Sequence, residues 1–167
     1  LFFRLKDYQT ARCYYERSLA IKANCLGPDH VRLTTTLKNA AEAEARLGRT
    51  DEAFLHVLQA IEISENAGNQ QNLPYYYGSL AKLRDEPEFW SFNAVCLEKA
   101  LNQFWLINNP RGRDIATTQL ALAQVYADLG RRADAKALAG AALAKLDEQF
   151  GSEHAFTVAA REILKMD

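Results

Sequence analysis

The stretches LGRTDEA at residues 47–53 and LGRRADA at 129–135 are near-copies, and the interval between them decides how the chain is organised. They start 82 residues apart, beyond the reach of any local structure. Half that interval from Ala53 lands near residue 94, and the same step backwards lands near residue 11. The chain answers at both places: Ala11, Ala53, Asn93 and Ala135 are spaced 42, 40 and 42. Seven residues on stand Ser18, Ala60, Ala100 and Ala142, all small, each followed by an aliphatic residue, Leu19, Ile61, Leu101 and Leu143. The pairs Ala40–Ala41, Leu80–Ala81 and Leu122–Ala123 keep the same register. The 82 residues are therefore two periods, and the unit is about 41 residues long.

Each unit reads as two helices. The first of each pair falls near 30–47, 73–85 and 112–129, the second near 8–24, 50–66, 87–108 and 132–149, and a last helix near 153–166. The units run about 1–25, 26–68, 69–109 and 110–150, with the terminal helix in 151–167. Most of the four prolines and eight glycines gather at the joints, while Ala, Leu, Glu, Lys and Arg fill the stretches between, which is helical composition. Gly48 and Gly130 stand where a first helix ends and a left-handed residue is wanted, and Thr50 is placed to cap the helix that follows. GPDH at 27–30 and NNPRGRD at 108–114 break the chain between units, and GSEH at 151–154 repeats the first of these joints 124 residues later. No alternating strand of useful length stands out. In 31–47, Leu33, Leu37, Ala40, Ala41 and Leu47 share one helical face, opposite Thr35, Lys38, Asn39, Glu42 and Arg46. A lone pair of such helices cannot bury both apolar faces. Stacked pairs can, which predicts an all-α solenoid with one concave and one convex surface.

With 167 residues the chain is long enough for one domain. Twenty Lys and Arg against 21 Asp and Glu leave a net charge of −1, without the basic surplus of a nucleic-acid binder. Cys13, Cys25 and Cys96 form no CxxC or disulfide pattern. They read as small buried or half-buried thiols in a reducing, cytoplasmic setting. No apolar run reaches the length of a membrane span. The sequence opens on Leu1 with an apolar LFFRL, which reads as the end of a helix in a piece of a longer protein.

LGRTDEAFLHVLQAIEI and LGRRADAKALAGAAL resemble tetratricopeptide repeats: a Gly turn, then Ala, a larger residue, a small one and an aliphatic. The long unit and the joint in YERSLAIKANCLGPDH resemble the kinesin-light-chain type of that family. The likeness covers essentially the whole chain, most closely in the second and fourth units. It implies a right-handed superhelix of about three and a half repeats plus a terminal helix. It also implies a scaffold that binds proteins or peptides in its groove, without catalysis, cofactor or metal. In such a stack the polar side of each first helix faces the concavity. This selects Lys38, Asn39, Glu42 and Arg46, then Tyr75, Ser79, Lys82 and Glu86, then Gln124 and Asp128. Asn39, in LKNAA, matches the groove asparagine of LNNLA in kinesin-light-chain repeats; Ser79 and Ala121 hold the equivalent places. Lys38, Arg46 and Lys82 suit a partner of mixed or acidic character. The set does not reproduce the clamp by which some family members hold a C-terminal carboxylate.

The family's aromatic late in the first helix is here Phe2, Glu44, Arg84 and Tyr126, spaced 42, 40 and 42. Two opposite charges in successive units predict that Glu44 and Arg84 meet as a partly buried pair, joined by Asn93. Enzyme chemistry finds no footing. His30 and His154 occupy equivalent joints, neither extends to HExxH, Cys25 has no orienting third group, and no Gly-rich phosphate loop exists. The aromatics of YYY at 75–77, EFWSF at 88–92 and FW at 104–105 are expected mostly to pack. An exposed aromatic patch is the competing reading. The function expected is a protein-interaction scaffold or regulatory module. The alternatives are a ligand- or peptide-sensing domain of a bacterial multidomain protein, and a self-association element pairing through the apolar Leu1–Phe2–Phe3 end.

Overall fold

The structure, a computed structural model, describes residues 7–107 and 110–166. Phe2, the Leu1–Phe2–Phe3 end and the helix end read into LFFRL lie outside the described residues. Among the described residues every regular element is helical: α1 (Tyr8–Leu26), α2 (Thr34–Arg46), α3 (Thr50–Asn66), α4 (Leu73–Leu80), α5 (Trp90–Phe104), α6 (Gly112–Asp128), α7 (Arg132–Phe150) and α8 (Ala155–Lys165). Short 3-10 turns, Val31–Leu33, Gln70–Asn72 and Pro87–Phe89, lead into α2, α4 and α5. The chain forms two compact units, one running to Arg84 and one starting at Asp85. In the first, α1 packs on α2, α2 on α3 and α3 on α4; in the second, α5 packs on α6, α6 on α7, and α8 on both α7 and α6. Helices lean on their neighbours in sequence, as stacked pairs must.

The repeat positions have like surroundings. Ala11, Ala53, Asn93 and Ala135 are all buried, at 3, 0, 2 and 1 % exposure. Ala60, Ala100 and Ala142 are wholly buried, and Ser18 is half-buried. A small side chain at these places lets neighbouring helix axes come close. Larger residues, Leu33, Leu37, Leu73, Leu97, Leu120 and Leu146 among them, fill the volume between.

The two opening heptapeptides are the same turn built twice. Gly48 and Gly130 both have φ 75°, a conformation that carries no penalty only for glycine. The Arg49 N–H donates to the Glu44 carbonyl at 2.9 Å and the Gly48 N–H to Ala45 at 3.1 Å. The Arg131 N–H donates to Tyr126 at 2.7 Å and the Gly130 N–H to Ala127 at 3.0 Å. These crossed bonds satisfy the last carbonyls of α2 and α6. Each arginine then folds over the next helix start, Arg49 onto Glu52 at 2.7 Å and Arg131 onto Asp134 at 2.8 Å. The cap expected of Thr50 does not form. The turn uses Leu47, Gly48 and Arg49 as its three non-helical residues, so Thr50 is already inside α3, and Arg49 precedes it without a side-chain cap.

The joints GPDH and GSEH are also one device. His30 Nδ1 accepts the Arg32 N–H and His154 Nδ1 accepts the Phe156 N–H, each at 3.2 Å. Both histidines are helix caps, and Thr157 Oγ1 donates to the Gly151 carbonyl at 2.8 Å to close the second. The first helix of the third unit, expected over 73–85, ends at Leu80. It carries Gly78 within a run of tyrosines of modest helix propensity. Beyond it the chain tightens, with Lys82 N–H to Ser79 and Leu83 N–H to Leu80, and Pro87 disfavours helix at Glu86.

Candidate functional site

Five of the ten predicted groove residues line one cleft of the first unit. Its volume is about 410 Å³, and it is lined by Lys38, Glu42 and Arg46 of α2, Ser79 of α4 and Lys82 just beyond it. Helical spacing explains the α2 set: residues 38, 42 and 46 recur every four positions and rise on one face. The floor is apolar, Ala41 and Ala45 from α2, Val57 from α3 and Leu83 after α4. The sequence reading missed these four. The available signal was the pair of alanines interleaved with the charged residues, which leaves a hollow between long polar side chains.

Charge in the cleft is one-sided. Lys38 Nζ and Glu42 Oε2 are 3.0 Å apart. The side chains of Arg46 and Lys82 have no ion-pair or hydrogen-bond partner among the described residues. The Ser79 hydroxyl donates to the Tyr75 carbonyl at 2.8 Å, so its proton is committed. Three cations against one carboxylate leave the lining with an excess of two positive charges.

The other predicted residues lie elsewhere. Asn39 is half-buried on α2 and Tyr75 is exposed on α4, both outside the cleft lining. Glu86, Gln124 and Asp128 belong to the second unit and are exposed. Partial burial, and then the like charge of Asp85, raises the Asp128 carboxyl above the ordinary aspartate range.

The expected Glu44–Arg84 pair is replaced by two other pairs. Glu44 is 2 % exposed, and its Oε2 accepts from His56 Nδ1 on α3 at 2.8 Å. Arg84 reaches Asp51 at 2.5 Å, with its guanidinium 4.9 Å from the Phe54 ring. The reason is the α2–α3 hairpin. Its turn at Gly48 brings residue 56 back opposite residue 44, so the buried carboxylate finds its donor within its own helix pair. Asn93 is buried in α5 of the second unit. At the fourth unit's equivalent place the family-type aromatic is kept: Tyr126 is buried, donates its hydroxyl to Glu98 and lies under the Arg131 guanidinium, 3.8 Å from the ring centre. Burial first, and then the bond to Glu98, raises its phenol above the usual tyrosine value.

The aromatic expectations divide. Tyr76, Tyr77 and Phe104 are buried, and Tyr76 donates to Thr34 Oγ1 at 3.0 Å. Trp90 is half-buried and donates to the Asp85 carbonyl. Phe92 and Trp105 are exposed, Trp105 at 72 %. The cysteines also differ from expectation: Cys96 is buried, but Cys13 and Cys25 are exposed. Among the described residues no group of His, Cys, Asp and Glu is arranged to hold a metal ion, and no helix is long and apolar enough to cross a membrane.

Two tetratricopeptide-repeat family models match the chain, over residues 1–66 and 115–155. No curated protein matches it. Among solved structures, a Podosopora anserina kinesin light chain with nearly identical TPR-like repeats is similar at TM-score 0.75 and 19 % identity, over 98 % of this chain and 78 % of that one. BtubC (BKLC) from P. vanneervenii is similar at TM-score 0.76 and 20 % identity, over 92 % of this chain and 61 % of that one. At such identities the likeness is one of fold: an all-α solenoid of stacked helix pairs.

Proposed function

Since this chain belongs to the tetratricopeptide-repeat family, a family of protein-interaction scaffolds, we propose that it holds a protein or peptide partner against the α2–α4 face of its first unit, without catalysis. The observation that carries the reading is convergence. Side chains from two successive first helices and the residues just after the second, picked from the concave face that the family resemblance implies, line a single cleft with a charged rim and an apolar floor. That combination suits an extended peptide, which can set an apolar side chain on alanines while the rim pairs its charges. Asn39 and Tyr75 extend the surface on the same helices. Free cysteines, two of them exposed, favour a reducing compartment such as the cytoplasm.

The reading is tested by affinity capture on a peptide array with the whole chain, beside the Lys38→Glu/Lys82→Glu variant and a Leu55→Glu variant of the exposed face of α3. Loss of the bound set in the first variant and its retention in the second supports the cleft. Equal patterns from all three proteins would remove the partner from this face.

A further inference from the structure

We propose that the α2–α4 cleft selects a phosphorylated serine or threonine side chain of its peptide partner. This rests on the reading of the cleft as a peptide site and adds the chemistry of the group it takes. The argument is one of charge matching. Lys38 is already engaged by Glu42, so the lining's surplus resides in Arg46 and Lys82, which have no ion-pair partner among the described residues. A carboxylate brings one negative charge and would leave one of them unmatched. A phosphate monoester brings between about 1.5 and 2 negative charges at neutral pH, with three acceptor oxygens. One modified residue therefore neutralises the surplus and can accept from both side chains at once, with the planar guanidinium free to bond two oxygens. The Ser79 hydroxyl, its proton held by the Tyr75 carbonyl, does not compete as a donor. The floor of Ala41, Ala45, Val57 and Leu83 leaves room for the attached carbon chain, and the volume of about 410 Å³ accommodates both parts.

The test uses the whole chain and three fluorescein-labelled degenerate peptide libraries that differ only at the central residue: phosphoserine, glutamate or serine. Fluorescence anisotropy reads the average affinity of each. The expected result is binding of the phosphoserine library about tenfold tighter than the serine library, with glutamate between. An Arg46→Gln/Lys82→Gln variant of unchanged helix content should level the three. Inorganic phosphate at matched ionic strength should compete weakly, because it lacks the chain that rests on the floor. A phosphoserine library no tighter than the glutamate library, with both still sensitive to the variant, overturns the phosphate assignment and leaves the peptide site standing. Competition by inorganic phosphate as strong as that by the phosphopeptides overturns it too. Binding of all three libraries indifferent to the variant removes the cleft as a peptide site altogether.

Discussion

Replacing His56 by alanine strands the Glu44 carboxylate inside the first unit, and the size of the penalty follows from burial. Glu44 is 2 % exposed while the His56 side chain is 26 % exposed, so the carboxylate gains little water when its partner is cut away. Breaking a buried pair costs about 3–5 kcal/mol. The expected loss, at the lower end of that range, is about 3 kcal/mol, or a fall in melting temperature of about 6–12 °C for a chain of this size. Two companions sharpen the result. Glu44→Leu/His56→Leu removes both partners and should lie within about 1 kcal/mol of the parent, since an apolar pair replaces an ion pair at little cost. Arg84→Ala should cost no more than about 1 kcal/mol, because Asp51 is 84 % exposed and pairs with such surface carboxylates are weak. Urea unfolding followed by far-ultraviolet circular dichroism measures all three. A neutral His56→Ala together with a severe Arg84→Ala would refute the assignment and restore the pairing the repeat phase suggested.

Three further outcomes follow from the caps, the thiols and the acidic pair. His30→Ala should cost about 1 kcal/mol and His30→Asp should recover it, whereas His154→Asp should recover less of the His154→Ala loss, because that ring also stacks on Phe150 at 4.7 Å; urea midpoints decide. Burial pushes the Cys96 thiol up to about 11, so at neutral pH a chromogenic disulfide should titrate Cys13 and Cys25 rapidly and Cys96 only after denaturant is added. The folded-state value of the Asp128 carboxyl lies above its unfolded value, so its ionised form works against folding at neutral pH, and that burden fades as pH falls through the folded value towards the unfolded one. Asp128→Asn should therefore stabilise the chain at pH 7 and make no difference in acid, as thermal melts across that range would record.

What the sequence disclosed was whatever one helix pair can enforce alone. Helices α3 and α6 begin at the residues expected, because a glycine turn or a proline-bearing joint marks their starts, and Ala53 and Ala135 announce a close approach through their size. The misplaced features needed the partner helix. Glu44 was visible as an odd residue at an aromatic position, but its partner depends on which residue returns across the turn. The clue was present: Glu44 stands where Tyr126 stands one repeat pair later, and His56 stands where Leu138 does, so a carboxylate and an imidazole replace a tyrosine and a leucine together. The end of α4 was overrun because apolar phase continues through Leu80, Ala81 and Leu83 while the backbone, faced with Pro87, does not. The rim of the cleft was legible from phase, but its floor was not, since Val57 enters it from a different helix.

The crossed turns at Gly48 and Gly130 have a kinetic consequence. Each joins two helices whose mutual contacts are separated by few residues, so little chain entropy is lost in bringing them together. Helix pairs closed by such turns are natural nuclei, and the remaining helices can then add to a surface already formed. The α2–α3 and α6–α7 hairpins should thus be the last places where amide protons exchange and the first to regain protection on refolding, so that the sequence copied most faithfully along the chain is also the one that starts its assembly.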